Sequence, residues 1–322
     1  MPRADRRCSR WLLVCSALAA CQGKTLVLGL GHDAPQAGAS APDAGMHPQD
    51  AAAGRAPDAG APADGLPRFA APRLIEELVP ADDAPDDDPS LSADRLLLCF
   101  NSKRDGGTGG EDIWCSERAS TRERWGAPTP LTGLNSDERE TGIALALDGL
   151  TLWFSSDRDD RDSLDVFVSR RESRTAAWST PEHVAELSSD ADDLVSAVAA
   201  DRRTLYLARR ESEDYDLYVA TRAEAAASWQ APEPLSELNT DADESDAYPV
   251  SEGRGLVFTR DEDLQLARRT SAGERFAAPQ PLAALNSAQD DRDAWAEPDL
   301  SYVVFSSERS GEYRLYETTL ER

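Results

Sequence analysis

Carboxylates are the main chemistry-bearing groups of this sequence, and they recur in clusters. Asp82, Asp83, Asp86, Asp87 and Asp88 are followed by Asp137 and Glu138, by Asp190, Asp192 and Asp193, by Asp241, Asp243, Glu244 and Asp246, and by Asp290, Asp291 and Asp293. Such groups serve two kinds of chemistry: binding of hard cations through oxygen ligands, and cleavage of glycosidic bonds, which needs two carboxyls roughly 5 to 9 Å apart. Asp241, Asp243 and Ser245 followed by Glu252 imitate the spacing of a calcium loop, but Asp246 stands where that loop needs glycine. The expectation is therefore no resident metal or cofactor, with Ca2+ at the acidic loops kept as the weaker alternative. Glu252, Glu297 and Asp299 are the acids a glycan-cleaving channel would use. Histidine chemistry has little material, because His32 and His47 lie in a low-complexity segment and only His183 remains. A His-based zinc site or a Ser-His-Asp triad is thereby disfavoured. Cys99 and Cys115 fall on adjacent predicted strands around Gly106-Gly107, a placement that permits either a disulfide or two buried thiols.

The elements that must position these groups come from an internal repeat. Trp125-Gly126-Ala127-Pro128-Thr129-Pro130-Leu131 returns in altered form at Trp178, Trp229 and Phe276, and a further copy opens at Phe69. Anchors about fifty residues apart are spaced for a small sheet, and self-similarity of that length marks a propeller or solenoid. Between anchors the same pieces recur. A short segment ends in a turn: Pro89 to Arg95, Ile143 to Gly149, Val195 to Arg202, Tyr248 to Gly253, and Pro298 to Ser301. An apolar strand follows, ending at Phe100, Phe154, Leu207, Phe258 or Phe305, and then an alternating strand such as 165–168. The proline-bearing anchor segment fits only an edge, where a missing N–H costs nothing.

Four complete units occupy about 89–287, and a fifth has only three strands, at 296–320. The orphan segment at 69–79 supplies its missing strand. The fold expected is thus all-β, a five-bladed propeller over 69–322, with the N-terminal strand pairing in the C-terminal blade so that no sheet edge at the seam is left free. Trp125, Trp178 and Trp229, one per blade, are expected to pack between blades, and His183 to sit on an exposed edge.

Ala146-Leu147-Asp148-Gly149-Leu150-Thr151-Leu152-Trp153-Phe154-Ser155-Ser156-Asp157-Arg158, followed by Asp165-Val166-Phe167-Val168, resembles the WD-repeat-like unit of the TolB propeller domain. The resemblance covers nearly all of 69–322 and implies the propeller fold. It implies little about activity, since propellers host many, and the separate N-terminal domain of TolB has no counterpart here.

Upstream of the repeats, Arg3, Arg6, Arg7 and Arg10 precede an apolar run from Trp11 to Ala20 that is too short to span a bilayer, the pattern of an export signal at 1–20. Leu18-Ala19-Ala20-Cys21 resembles the lipobox of bacterial lipoproteins, which implies lipidation of Cys21. Gln22 in place of Asp then implies the outer membrane. Residues 21–68, rich in Ala, Pro, Gly and Asp, bury too little apolar surface to fold and read as a tether reaching on the order of 35 to 40 Å.

A formal charge of −26 with only Lys24 and Lys103 as lysines argues against a nucleic-acid partner, which needs clustered cations. The expectation is a lipid-anchored, monomeric, non-catalytic scaffold in the periplasm or outer-membrane envelope. It would dock an envelope protein or component through an acidic face of Asp137, Asp157, Asp190, Asp241, Asp243, Asp246, Asp290 and Asp291. The alternative is a glycan-binding or glycan-hydrolysing propeller.

Overall fold

The computed structural model describes residues 65–158 and 163–321. The export signal, Cys21, nearly all of the tether and the loop acids Asp159, Asp160 and Asp162 lie outside the described residues.

Among the described residues, twenty strands form five four-stranded antiparallel sheets. The first of them is β1 (Arg73–Leu74). Blade one is β2 (Asp86–Leu91), β3 (Leu97–Ser102), β4 (Asp112–Glu117) and β5 (Thr129–Pro130). Blade two is β6 (Glu140–Leu145), β7 (Thr151–Ser156), β8 (Asp165–Arg170) and β9 (Glu182–His183). Blade three is β10 (Asp192–Val198), β11 (Thr204–Arg210), β12 (Asp216–Thr221) and β13 (Glu233–Pro234). Blade four is β14 (Glu244–Val250), β15 (Gly255–Arg260), β16 (Asp263–Arg268) and β17 (Gln280–Pro281). Blade five is β18 (Asp291–Ala296), β19 (Tyr302–Ser307) and β20 (Arg314–Thr319), completed by β1 on its outer edge. Two short 3-10 turns, Glu76–Leu78 and Ser251–Gly253, are the only helical pieces among the described residues.

The ring closes as the repeat count requires. Arg73 pairs with Glu317 and Leu74 with Tyr316, Phe69 bridges Leu320, and the Ala70 N–H donates to the Thr319 carbonyl at 2.9 Å. Phe69 is buried in the apolar cluster of blades four and five with Leu282, Val303 and Tyr316.

One expectation fails. The inner strand of the fifth blade is Asp291–Ala296, whereas Pro298 to Ser301 is the turn that follows it. In the other blades too, the inner strands begin three or four residues before the apolar segments, at Asp86, Glu140, Asp192 and Glu244. Several acids expected in blade-to-blade loops are therefore strand residues next to the axis.

They are tolerated there because each blade supplies a cation. Asp86, Glu140, Asp193, Glu244 and Asp291 occupy equivalent positions and are buried. Each meets an arginine from the end of the second strand or just beyond it: Arg104, Arg158, Arg209, Arg260 and Arg309. Each arginine also donates to the carbonyl of a leucine on the connection into its own blade, as Arg158 does to Leu134 at 2.6 Å, and lies over an aromatic ring of its sheet, Phe154 and Phe167 in blade two. A buried carboxylate that loses this partner is left uncompensated in low dielectric, which costs far more than an exposed pair gains.

The aromatic anchors are structural. Trp125 and Trp229 are buried, and Arg118, Arg171, Arg222 and Arg269 sit 4.0 to 4.4 Å above Trp125, Trp178, Trp229 and Phe276. His183 lies exposed on edge strand β9, with Nε2 3.5 Å from Asp165.

Cys99 and Cys115 face each other across β3 and β4, with Cα atoms 4.1 Å apart, and are joined in a disulfide. A cross-link closing a loop of this length restricts the unfolded chain by roughly 3 kcal/mol. Cys99→Ser/Cys115→Ser is expected to lower stability by about that amount in chemical denaturation. An unchanged unfolding midpoint would mean that the link adds nothing.

Candidate functional site

The site is built from five irregularities in the inner strands. Each inner strand slips register against its neighbour: between Asp87 and Ser90, Thr141 and Ala144, Val195 and Ala197, Ser245 and Tyr248, and Arg292 and Trp295. A bulge re-aims a side chain out of the pleat. Asp88, Asp246 and Asp293 in these bulges adopt left-handed backbone, with φ of 50°, 55° and 53°, a conformation that disfavours branched residues and that Asp tolerates. In blade two the equivalent residue is Gly142 (φ 58°), where a Cβ would come within 2.9 Å of the Val195 carbonyl. In blade three the bulge carries Ser196.

The bulges bring three carboxylates together on the axis. One oxygen from each of Asp88, Asp246 and Asp293 lies within 4.8 Å of the others. They line a cavity of about 20 Å3, together with Ser196, Ser90 and Tyr248. Asp88 Oδ2 accepts from Thr141 Oγ1 at 2.9 Å and from the Gly142 N–H at 2.8 Å. The Ser196 hydroxyl is buried without a hydrogen-bond partner among the described residues, and so is Oδ1 of Asp87, a residue only 8% exposed. The other Asp87 oxygen accepts from Arg292, whose guanidinium also lies 3.3 Å from Asp293.

The charge states follow from this crowding. Burial, then the charges of Asp87 and Asp246, push the Asp88 carboxyl up to about 8. Burial, then Asp246, Asp87 and Asp88, raise Asp293 well above the ordinary carboxylate value. Burial opposes ionisation of Asp87 too, but Arg292 outweighs it and the pKa falls below the usual value. Carboxylates packed this closely cannot all be ionised without a compensating cation.

The expected acidic face divides in four. Asp137, Asp190, Asp241 and Asp243 are exposed around the mouth of the channel, with Asp243 accepting from the Tyr215 N–H at 2.7 Å. Asp157 is paired with Arg139 at 2.8 Å, and Asp290 accepts from the Tyr313 hydroxyl at 2.8 Å. Asp246 belongs to the axial trio. Asp291 is a correction: it is fully buried and paired with Arg309 at 2.5 Å, because it starts a strand rather than capping a loop.

Glu252, Glu297 and Asp299, the acids a glycan-cleaving channel would use, sit at the opposite mouth. Burial raises the pKa of Glu297, which faces Arg95 at 3.4 Å, and Asp299 accepts from the Ser301 N–H at 2.9 Å, an ordinary turn role. Glu252 borders a wider pocket of about 550 Å3 with Tyr206, Tyr248, Phe276 and Arg269. This mouth is richer in arginine, and its acids are partly spoken for: Asp94 by Arg174 and Asp148 by Arg202, both at 3.1 Å.

The axial trio escaped the sequence reading. The available signal was Leu-Asn-Ser/Thr followed four residues later by an acid, as in Leu134-Asn135-Ser136 with Glu140, Leu238-Asn239-Thr240 with Glu244, and Leu285-Asn286-Ser287 with Asp291. The bulged residue lies two positions beyond that acid.

No protein-family model and no curated relative matches the sequence. Among solved structures, the endo-arabinase of Bacteroides thetaiotaomicron superposes with a TM-score of 0.54 at 14% identity, over 76% of this chain and 97% of that one. The catalytic domain of an α-L-arabinofuranosidase from Coprinopsis cinerea gives 0.48 at 10% identity, over 79% and 97%. TolB from Acinetobacter baumannii gives 0.46 at 12% identity, over 82% of this chain and 66% of its own length. At such identities the likeness is one of fold alone.

Proposed function

We propose that this protein is a non-catalytic interaction propeller that docks a basic protein surface on its acidic mouth, held at the cell envelope through lipidated Cys21. The observation that carries the reading is the separation of charge between the two mouths. The strand-two to strand-three hairpins and the blade-to-blade connections all open on one side, and there Asp137, Asp190, Asp241 and Asp243 stand exposed. Concentrated charge of one sign steers an oppositely charged partner and discourages self-association. A sugar ring does not fit the axial cavity of about 20 Å3, so the trio is not placed to flank a glycosidic bond.

The test uses the full chain in native envelopes, with a photo-crosslinking residue at position 241 or, on the opposite mouth, at 275. Adducts are expected from position 241 only, weakening with salt and with Asp137→Asn/Asp190→Asn/Asp243→Asn. The Cys21→Ser chain is expected in the soluble fraction. Adducts from position 275 alone, or adducts from 241 indifferent to charge, would refute the docking face.

A second reading, a glycan-binding propeller, draws support from the 550 Å3 pocket at the opposite mouth. Its aromatic residues and Glu252 offer stacking surface and a hydrogen-bond acceptor. Calorimetry with a panel of neutral oligosaccharides decides it: heat lost on Glu252→Ala favours this reading, and no heat removes it.

A further inference from the structure

We propose that Asp88, Asp246 and Asp293 form a binding site for one hard divalent cation, Ca2+ in the first instance, on the propeller axis. Three observations converge on a ligand here. The trio is assembled from three different blades by three separate bulges, so the approach of like charges is built into the inner strands rather than being the accident of a flexible loop. The cavity they share, about 20 Å3, has room for a single ion or water.

The third observation is independent of the carboxylate cluster. The hydroxyl of Ser196, which lines the cavity, is buried without a hydrogen-bond partner among the described residues; Oδ1 of Asp87, a residue 8% exposed and next in sequence to Asp88, is also without one but does not line the cavity. A buried polar atom left without a partner is costly, and a natural fold normally supplies one. A cation in the cavity satisfies the Ser196 oxygen and compensates three charges together, whereas the nearby Arg292 is paired with Asp87 and reaches only Asp293 of the trio, at 3.3 Å.

The donors choose the class of ion. All are oxygens from carboxylates and a hydroxyl, and no His or Cys lines the cavity, which selects a hard cation over zinc or copper. Three carboxylates, some bidentate, with Ser196 and water, reach the six to eight oxygens Ca2+ takes, whereas Mg2+ demands stricter octahedral geometry. The inference stands apart from the docking proposal, since the acids at the rim are different residues.

The experiment measures terbium luminescence sensitised through the aromatic residues, with Tyr248 on the cavity wall, using the full metal-stripped chain. One Tb3+ per chain is expected to bind saturably and to be displaced by Ca2+, and the melting temperature is expected to rise with Ca2+ concentration. Asp246→Asn is expected to abolish both effects. Ser196→Ala, which removes only the orphan hydroxyl, is expected to weaken Ca2+ affinity about tenfold while the fold persists by circular dichroism. Asp241→Asn/Asp243→Asn at the rim is expected to leave binding unchanged. Failure of Tb3+ and Ca2+ to bind, or binding lost with the rim variant instead of the axial ones, would overturn the assignment. A trio that shares protons and takes up no metal between pH 5 and pH 8 would overturn it equally.

Discussion

Glu140→Ala is expected to destabilise the propeller by about 3 to 5 kcal/mol, the cost of leaving a buried charge without its partner. For a domain of this size that corresponds to a fall in melting temperature of roughly 6 to 20 °C. Glu140 is fully buried and accepts from Arg158 at 2.7 Å, from Ser156 Oγ at 3.0 Å, and from the Ser136 hydroxyl and N–H at 2.5 and 3.0 Å. One side chain thus ties the incoming connection, the inner strand and the second strand together. Its removal strands Arg158, which is 13% exposed, over Phe154 and Phe167. The double variant Glu140→Leu/Arg158→Met removes both charges and is expected to lose less than the single one. A loss below about 1 kcal/mol for Glu140→Ala would show that the repeated acid and arginine pairs are not what holds the blades.

The second large effect is expected at the seam. A chain lacking residues 65–75 loses Phe69 and Ile75 from the core, each worth about 2 to 5 kcal/mol by analogy with truncation to alanine, and leaves β20 as an open edge. The hydrogen bonds lost include Ala70 N–H to Thr319, Thr318 Oγ1 to Ala70 at 2.6 Å, and Ile75 N–H to Leu315 at 3.0 Å. Amide exchange should accelerate over 314–319 well before it does over 151–156 in blade two, and the unpaired edge should promote association between chains. Unchanged protection of 314–319 would mean that the seam is held by something other than the N-terminal strand.

The architecture was legible because repetition is a strong signal. Five aromatic anchors, the prolines that confine each anchor segment to an edge and the orphan segment at Phe69 set the blade number and the way the ring closes. The centre was not legible, for a reason specific to the acids. Asp is depleted in strands, so Asp86 to Asp88, Asp192 and Asp193, and Asp291 to Asp293 read as solvated connections. In the fold they lie in inner strands, because an arginine from the next strand neutralises one acid in each blade, and in blades one, four and five a bulge turns another toward the axis. The shift in the fifth blade has the same origin, since Asp291 and Asp293 concealed the strand and Pro298-Asp299 resembled one. Bulge positions depend on register between strands, and their one local mark, the Leu-Asn-Ser/Thr segment upstream, takes on meaning only once the bounds of the inner strands are known.

The place where the chain enters the ring has a consequence for presentation. Phe69 pairs with Leu320, and the Leu320 N–H reaches the carbonyl of Ser301 in the turn between β18 and β19 at 3.3 Å. That turn belongs to the mouth remote from Asp137, Asp190 and Asp241. The described chain therefore enters the ring on the side away from the exposed acids, and the residues that seal the last blade leave the carboxylate-lined opening uncovered.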